Sequence, residues 1–277
     1  MRTSTVASSR SQPPGWSGRT ERAVGALTVA VLLAAWELAG RAGVLSAYHF
    51  PEPSRLAATI WDLVVVGFPV GVTVWQHVGA TAARIVQGYV LAAVLAIPLG
   101  LVVGGVRALD QASAPIITFA RSVATISLLP LAVAWFGVGE LSRVLLIAYG
   151  CSWVILTNVI EGVKSVDEEL IRAGRMLGST PRQLFTRVVL PASTPRIFAG
   201  MKVALGLAFM VIVGVEMIGT IKGLGALIME ARTFYRSDAA MVGMVFIALF
   251  GFALSRLLDR LERVLLPWSG SLEEVER

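Results

Sequence analysis

Along this chain long apolar runs alternate with short polar stretches, and the runs have the length of membrane spans. Runs of about 20 predominantly apolar residues read as spanning helices, because in lipid each backbone amide must be bonded within its own segment. They lie at Ala23 to Leu45, Gly79 to Val106, Ala112 to Phe136, Leu141 to Ile160, Ile197 to Gly219 and Ala239 to Leu258. The stretch Leu56 to Trp75 is also apolar but carries Asp62 and Pro69. It reads as an amphipathic segment at the outer interface, with Trp61 and Trp75 as headgroup-level anchors. The pattern predicts an all-α polytopic membrane protein with about six transmembrane helices.

The ends of the chain have a different character. Residues 1–22 are rich in Ser, Thr, Pro and Arg and hold nothing that could bury a core, so they are expected to form a disordered cytoplasmic tail. The run after them has a basic front like a signal peptide. It is long for such a peptide's apolar region and lacks an A-x-A site, so it reads as an uncleaved first span. Residues 23–268 then form one transmembrane domain, with a loop at about 162–196 and a second cytoplasmic tail at 269–277.

Composition supports this class. Hydrophobic residues make up 56% of the 277, charged residues only 15%, and the mean hydropathy is +0.74, values foreign to a soluble fold. The formal net charge of +6 does not indicate nucleic acid, because the cations sit between apolar runs instead of gathering on one face. Their distribution fits six spans with both termini inside. Arg107, Lys164, Arg172, Arg175, Arg182, Arg187, Arg196 and Lys202 then fall on the cytoplasmic side, with the cations of both tails and Arg256, Arg260 and Arg263. The outer side keeps Arg41, Arg55, Lys222, Arg232 and Arg236.

The longest cytoplasmic connection carries a helical pattern of its own. Leu170, Ala173 and Leu177 fall on one helical face, and Gly178 is placed to close that helix in a left-handed turn. Thr180, Pro181, Arg182 and Gln183 then read as a capping box that opens a second short helix. Leu184, Phe185, Val188 and Val189 supply its apolar face, and Pro191 is expected to end it. Two such helices outside the membrane need either a partner surface or anionic lipid to cover them.

Other chemistry is sparse. Cys151 is the single cysteine, so no intramolecular disulfide exists, and its apolar neighbours place it in a packed span. His49 and His77 are too isolated to form a histidine-based metal site. Acids inside spans are functional candidates by default. Glu216 is expected to pair with a buried cation such as Arg84 or Arg121, and Glu37, near a span end, to reach outward to the interface. Gly100 and Gly104 form a small-x-x-x-small step and are assigned to helix packing. The chain has no G-x-x-x-x-G-K-[ST] loop, no H-E-x-x-H and no G-x-S-x-G, so it holds neither a nucleotide cradle nor a hydrolase nucleophile of these kinds.

The spacing around Gly178 adds a resemblance. Gly178, nine intervening residues, then Val188, Val189, Leu190 and Pro191 resemble the G-x9-I-x-L-P half of the loop signature of binding-protein-dependent ABC transporter permeases. The family's leading E-A-A is represented by Arg172, Ala173 and Gly174, so the Glu and the second Ala are replaced. Leu128 to Leu170, Ala208 to Ile228 and LERVLLPW at 261–268 are similar to the nitrate, taurine and alkanesulfonate import group of these type I permeases, which brings residues 50–268 within the resemblance. The resemblance implies a permease homodimer in the cell membrane that is not itself an enzyme. It implies that the loop at 166–191 is offered to a separate ATP-binding subunit, which alone uses ATP, and that an extracytoplasmic binding protein delivers the solute. Residues alone leave two other classes open: a proton-coupled carrier using Glu37 or Glu216, and a non-transporting membrane scaffold.

Overall fold

The computed structural model describes residues 18–266 apart from 47 and 70. Most of the expected tail at 1–22 and all of that at 269–277 lie outside the described residues, as does Trp268. Residues 18–22 do not belong to an irregular tail: helix α1 runs Gly18–Arg41 and takes them in. The chain divides into two compact units, 1–58 and 59–277.

In the first unit, α1 provides a candidate span at Ala23–Arg41. Glu37 lies four residues from the end of α1. Its carboxylate takes the Arg41 guanidinium at 2.7 Å, the Ser54 amide at 3.0 Å and the Ser54 hydroxyl at 2.8 Å. It thereby caps α2, Pro53–Val65, whose 13 residues extend about 20 Å, too short to cross a hydrocarbon core of about 30 Å.

The second unit is built around α3 (Val74–Gly105), α6 (Glu140–Lys164) and α9 (Leu190–Glu216). These three pack on one another through small and branched side chains. Ala92 and Ala96 of α3, Ile147, Cys151 and Val159 of α6, and Ala204, Ala208 and Ile212 of α9 belong to one buried cluster. Small residues let backbones approach closely where lipid supplies no hydrophobic force between helices. A Cβ at Gly88 would lie 2.7 Å from the Ile147 Cβ, and one at Gly100 would lie 2.7 Å from the Val159 Cβ. Gly104 meets Val163 and Ile160 in the same way. The glycine step is thus the α3–α6 contact. Overpacking of this kind costs about 1–3 kcal/mol. Gly100→Leu is therefore expected to lower the thermal midpoint of the detergent-solubilised protein, while Gly79→Ala, with open space around its Cβ, melts with the wild type.

The run expected at 112–136 is not one straight span. It comprises α4 (Arg107–Ser122), a 3₁₀ turn at Thr125–Leu128 and α5 (Leu129–Phe136), with a bend of 81° between the halves. Val123 and Ala124 are extended, which breaks the hydrogen-bond ladder, and Pro130, which has no amide to donate, opens the new helix. Five helices are long and apolar enough to cross a membrane among the described residues, and six if this bent pair is one crossing. The remaining elements are α7 (Glu168–Met176), α8 (Pro181–Leu184), α10 (Leu224–Thr233) and α11 (Ser237–Leu265).

Pro191 does not end a helix. The chain continues from α8 through a π turn at Phe185–Val189 into α9, so Pro181–Glu216 forms 36 helical residues. The Leu190 amide bonds to the Phe185 carbonyl five residues back. This wider turn re-registers the ladder just before Pro191, which then falls in the first turn of α9, where its missing N–H costs nothing.

Candidate functional site

The connection between α6 and α9 forms a projecting pair of short helices at one end of the bundle. Asp167 caps α7 by accepting from the Glu169 amide at 2.8 Å, and Glu168 and Glu169 complement its dipole. The helix closes as a Schellman turn: the Gly178 amide bonds to the Arg175 carbonyl at 3.0 Å and the Ser179 amide to the Gly174 carbonyl at 3.2 Å. Gly178 sits at φ +74°, the left-handed region that disfavours a side chain. Thr180 and Gln183 then form a reciprocal capping box at the start of α8.

The two helices touch through Gly174, where an added Cβ would lie 2.7 Å from Leu184 Cδ1 and 3.5 Å from Val188 Cγ2. The face predicted to be apolar turns away from this contact. Leu170 is 51% exposed and Leu177 86%, and neighbouring Met176 is 87% exposed. Ala173 is exposed too, and Arg172 pairs with Glu168 on the surface. The tip therefore presents two long, flexible apolar side chains ringed by charge. Phe185 lies on the inner side, 3.9 Å from a Cβ built at Gly105, and so connects the tip to the end of α3.

At the opposite end of the bundle, buried charges tie the spans together. Glu216, 1% exposed at the end of α9, accepts from Thr81 at 2.9 Å, from Arg84 Nη1 at 2.6 Å and from the Gly225 amide at 2.9 Å. Arg84 is thus the partner of Glu216; Arg121 is not. Arg121 lies toward the loop end, lining a shallow recess with Asp110, Glu161 and Lys164. The Arg84 guanidinium also forks onto Glu140, with Nε at 2.5 Å and Nη2 at 2.7 Å, and donates to the Lys222 carbonyl at 2.7 Å. One cation on α3 therefore holds α6, α9 and the turn that precedes α10.

The backbone of that turn is shaped around Glu216. Gly223 has φ +144°, and a Cβ there would lie 2.5 Å from the Glu216 carboxyl carbon. His77 completes the wall, with Nε2 3.0 Å from the Phe68 carbonyl and Nδ1 2.8 Å from the Gly223 carbonyl. Arg143 donates from Nη2 to the Gly219 carbonyl at 2.6 Å and lies 3.5 Å from Glu140. Sequence reasoning missed Glu140, Arg143, Thr81 and His77 as members of this assembly. The available signal was Glu140 and Arg143 three residues apart at the mouth of a span. No group of three or more His, Cys, Asp or Glu suited to a metal ion occurs among the described residues.

A family model described as "Binding-protein-dependent transport system inner membrane component" matches residues 96–269. The taurine transport system permease protein TauC of Escherichia coli (strain K12) is 33% identical over 89% of this chain and 90% of its own length. SsuC of Bacillus subtilis (strain 168), named provisionally for aliphatic sulfonates transport, is 32% identical over 90% of this chain and 88% of its own. The bicarbonate transport system permease protein CmpB of Synechocystis sp. is 29% identical over 84% of both. Among solved structures, the MetNI methionine ABC transporter in an inward-facing conformation aligns with a TM-score of 0.54 at 19% identity, over 68% of this chain and 96% of that one. The chain belongs to the binding-protein-dependent transport system inner membrane components. It is a multi-pass permease subunit of the ABC importer class, not an enzyme.

Proposed function

We propose that this permease imports a small anionic solute of the sulfonate, taurine or nitrate class, driven by ATP hydrolysed on a separate subunit that docks on the loop at 166–191. The observation that carries the reading is the loop tip. Met176 and Leu177 are almost fully exposed on a rigid, doubly capped helix pair that is continuous with a span, as a mechanical handle requires. Adjacent apolar side chains held out in this way suit a groove on a partner. The ATP-binding partner supplies that groove, and closure of its dimer moves the helix pair and, through α9, the spans.

The chain acts as a homodimer in the cell membrane, with both termini cytoplasmic and the Arg84 assembly on the outer side. The excess of Lys and Arg at the loop end supports this orientation. An extracytoplasmic binding protein selects and delivers the solute. The relatives named for taurine, aliphatic sulfonates and bicarbonate support the anionic class. Glu216 does not bar an anion, because its charge is matched by Arg84 and enclosed.

The test is uptake of labelled taurine, ethanesulfonate and nitrate by native host cells with and without the chain. Deletion is expected to abolish uptake of at least one of them. That uptake should persist when a protonophore collapses the proton gradient and stop when ATP is depleted. Uptake that follows the gradient instead would identify a proton-coupled carrier and overturn the proposal.

A further inference from the structure

A cleft of about 670 Å³ opens beside the Arg84 assembly, between α3, the start of α6 and the turn at 219–222. That volume is within the range of small-molecule sites, roughly 300–1,000 Å³. Its polar lining is Arg84, Gln87, Glu140, Arg143, Thr220 and Lys222, and its apolar walls include Ala83, Val138 and Ile221.

The charges in and behind this lining do not cancel. Arg84, Arg143 and Lys222 stand against Glu140 in the lining and Glu216 behind it, three cations to two carboxylates. Arg84 is spent on both acids. Lys222 is exposed, and its ammonium has no ion-pair partner among the described residues. Arg143 donates to one carbonyl and one carboxylate oxygen, which leaves donors of its five free. The carbonyls of Gly219 and Lys222, which would repel an anion, are already occupied by the two guanidiniums. The surplus is positive, and it adjoins apolar surface.

We infer that this cleft is an anion-attracting vestibule on the solute's path, built for a small organic oxyanion whose charged head meets Lys222 and Arg143 while its apolar stem lies along Ile221 and Val138. The inference rests on the importer reading for the identity of its ligand, but its test does not require transport. Surplus charge in a cleft with low-dielectric walls raises the local concentration and arrival rate of the opposite sign; clefts lined by one sign alone gain about 10- to 1,000-fold, and this mixed lining falls at the low end.

The test uses Gln87→Cys in the full-length protein in nanodiscs, with Ile221→Cys in the turn as a second reporter. The native chain serves as the blank, since its one cysteine, Cys151, is buried. The probes are sulfonatoethyl and trimethylammonioethyl methanethiosulfonates, which differ in charge at similar size. In each case the cysteine thiolate attacks the sulfenyl sulfur, a disulfide forms and methanesulfinate leaves. With rates normalised to a free thiol, the sulfonate reagent is expected to react at least about tenfold faster than the cationic one. Ethanesulfonate should slow the reaction, and Lys222→Glu should reverse the preference. Equal normalised rates, a preference for the cation, no modification at either reporter, or a preference unmoved by Lys222→Glu would each overturn the inference. An anion-preferring cleft in a protein that accumulates none of the tested anions would instead sink the importer reading alone.

Discussion

Gly178→Val is expected to abolish ATP-driven uptake while leaving the chain inserted in the membrane at its normal level. The backbone at Gly178 is left-handed, with φ +74°, and no atom lies within 4 Å of an added Cβ, so the penalty comes from conformation and not from crowding. A left-handed residue with a Cβ costs about 1–2 kcal/mol, and a β-branched one is a genuine outlier. The backbone bonds to Gly174 and Arg175 and the close approach of Gly174 to Leu184 hold the turn. Relaxing that strain therefore swings α7 away from α8 and displaces Met176 and Leu177 from the position a partner groove would read. Gly178→Asn, which tolerates the left-handed region, should keep most of the uptake. The comparison is made by quantifying the chain in membranes and the uptake in the same cells. Normal uptake by the valine variant would mean that the turn does not set the coupling geometry.

The second large effect is expected at Arg84. Arg84→Met removes the cation paired with Glu216, which is 1% exposed, and it also breaks the bonds to Glu140 and the Lys222 carbonyl. Breaking a buried pair by deleting one partner costs about 3–5 kcal/mol, because the remaining charge stays buried and unmatched. The variant should show a much lower unfolding midpoint by fluorescence-detected size exclusion in detergent, or fail to accumulate. Adding Glu216→Gln should recover part of the loss, since the neutral amide no longer needs the cation and can still accept from Thr81 and the Gly225 amide. If Arg84→Met melts with the wild type, the assembly is not what clasps α3, α6 and α9 together.

The spans were legible because lipid demands long apolar runs, which stand out against the polar connections between them. The break at 122–125 was not legible, because hydropathy averages across two extended residues and takes no account of direction. Pro191 misled for a related reason: a proline ends a helix only where a donor is needed, and the π turn just before it removes that need. In the loop, Gly178 and the Thr180–Gln183 box were readable because each depends on a local backbone demand. The partner of Glu216 was half readable. Composition offered Arg84 and Arg121 equally, and only the packing of α3 on α9 selects Arg84. Glu140, Arg143 and His77 escaped because their partners lie far along the chain, at Arg84, Gly219 and Gly223.

If ATP energy enters this chain through the loop tip, the ATP-binding subunit must dock there, and co-purification detects it. The tagged protein is isolated gently from its own host beside Met176→Asp/Leu177→Asp, a pair of changes on side chains 87% and 86% exposed that the fold should tolerate. A protein carrying a G-x-x-x-x-G-K-[ST] loop, identified by mass spectrometry, is expected to accompany the wild type and to be lost from the double variant at equal permease yield. Absence of such a protein from the wild type, or its equal recovery with both, would contradict the account.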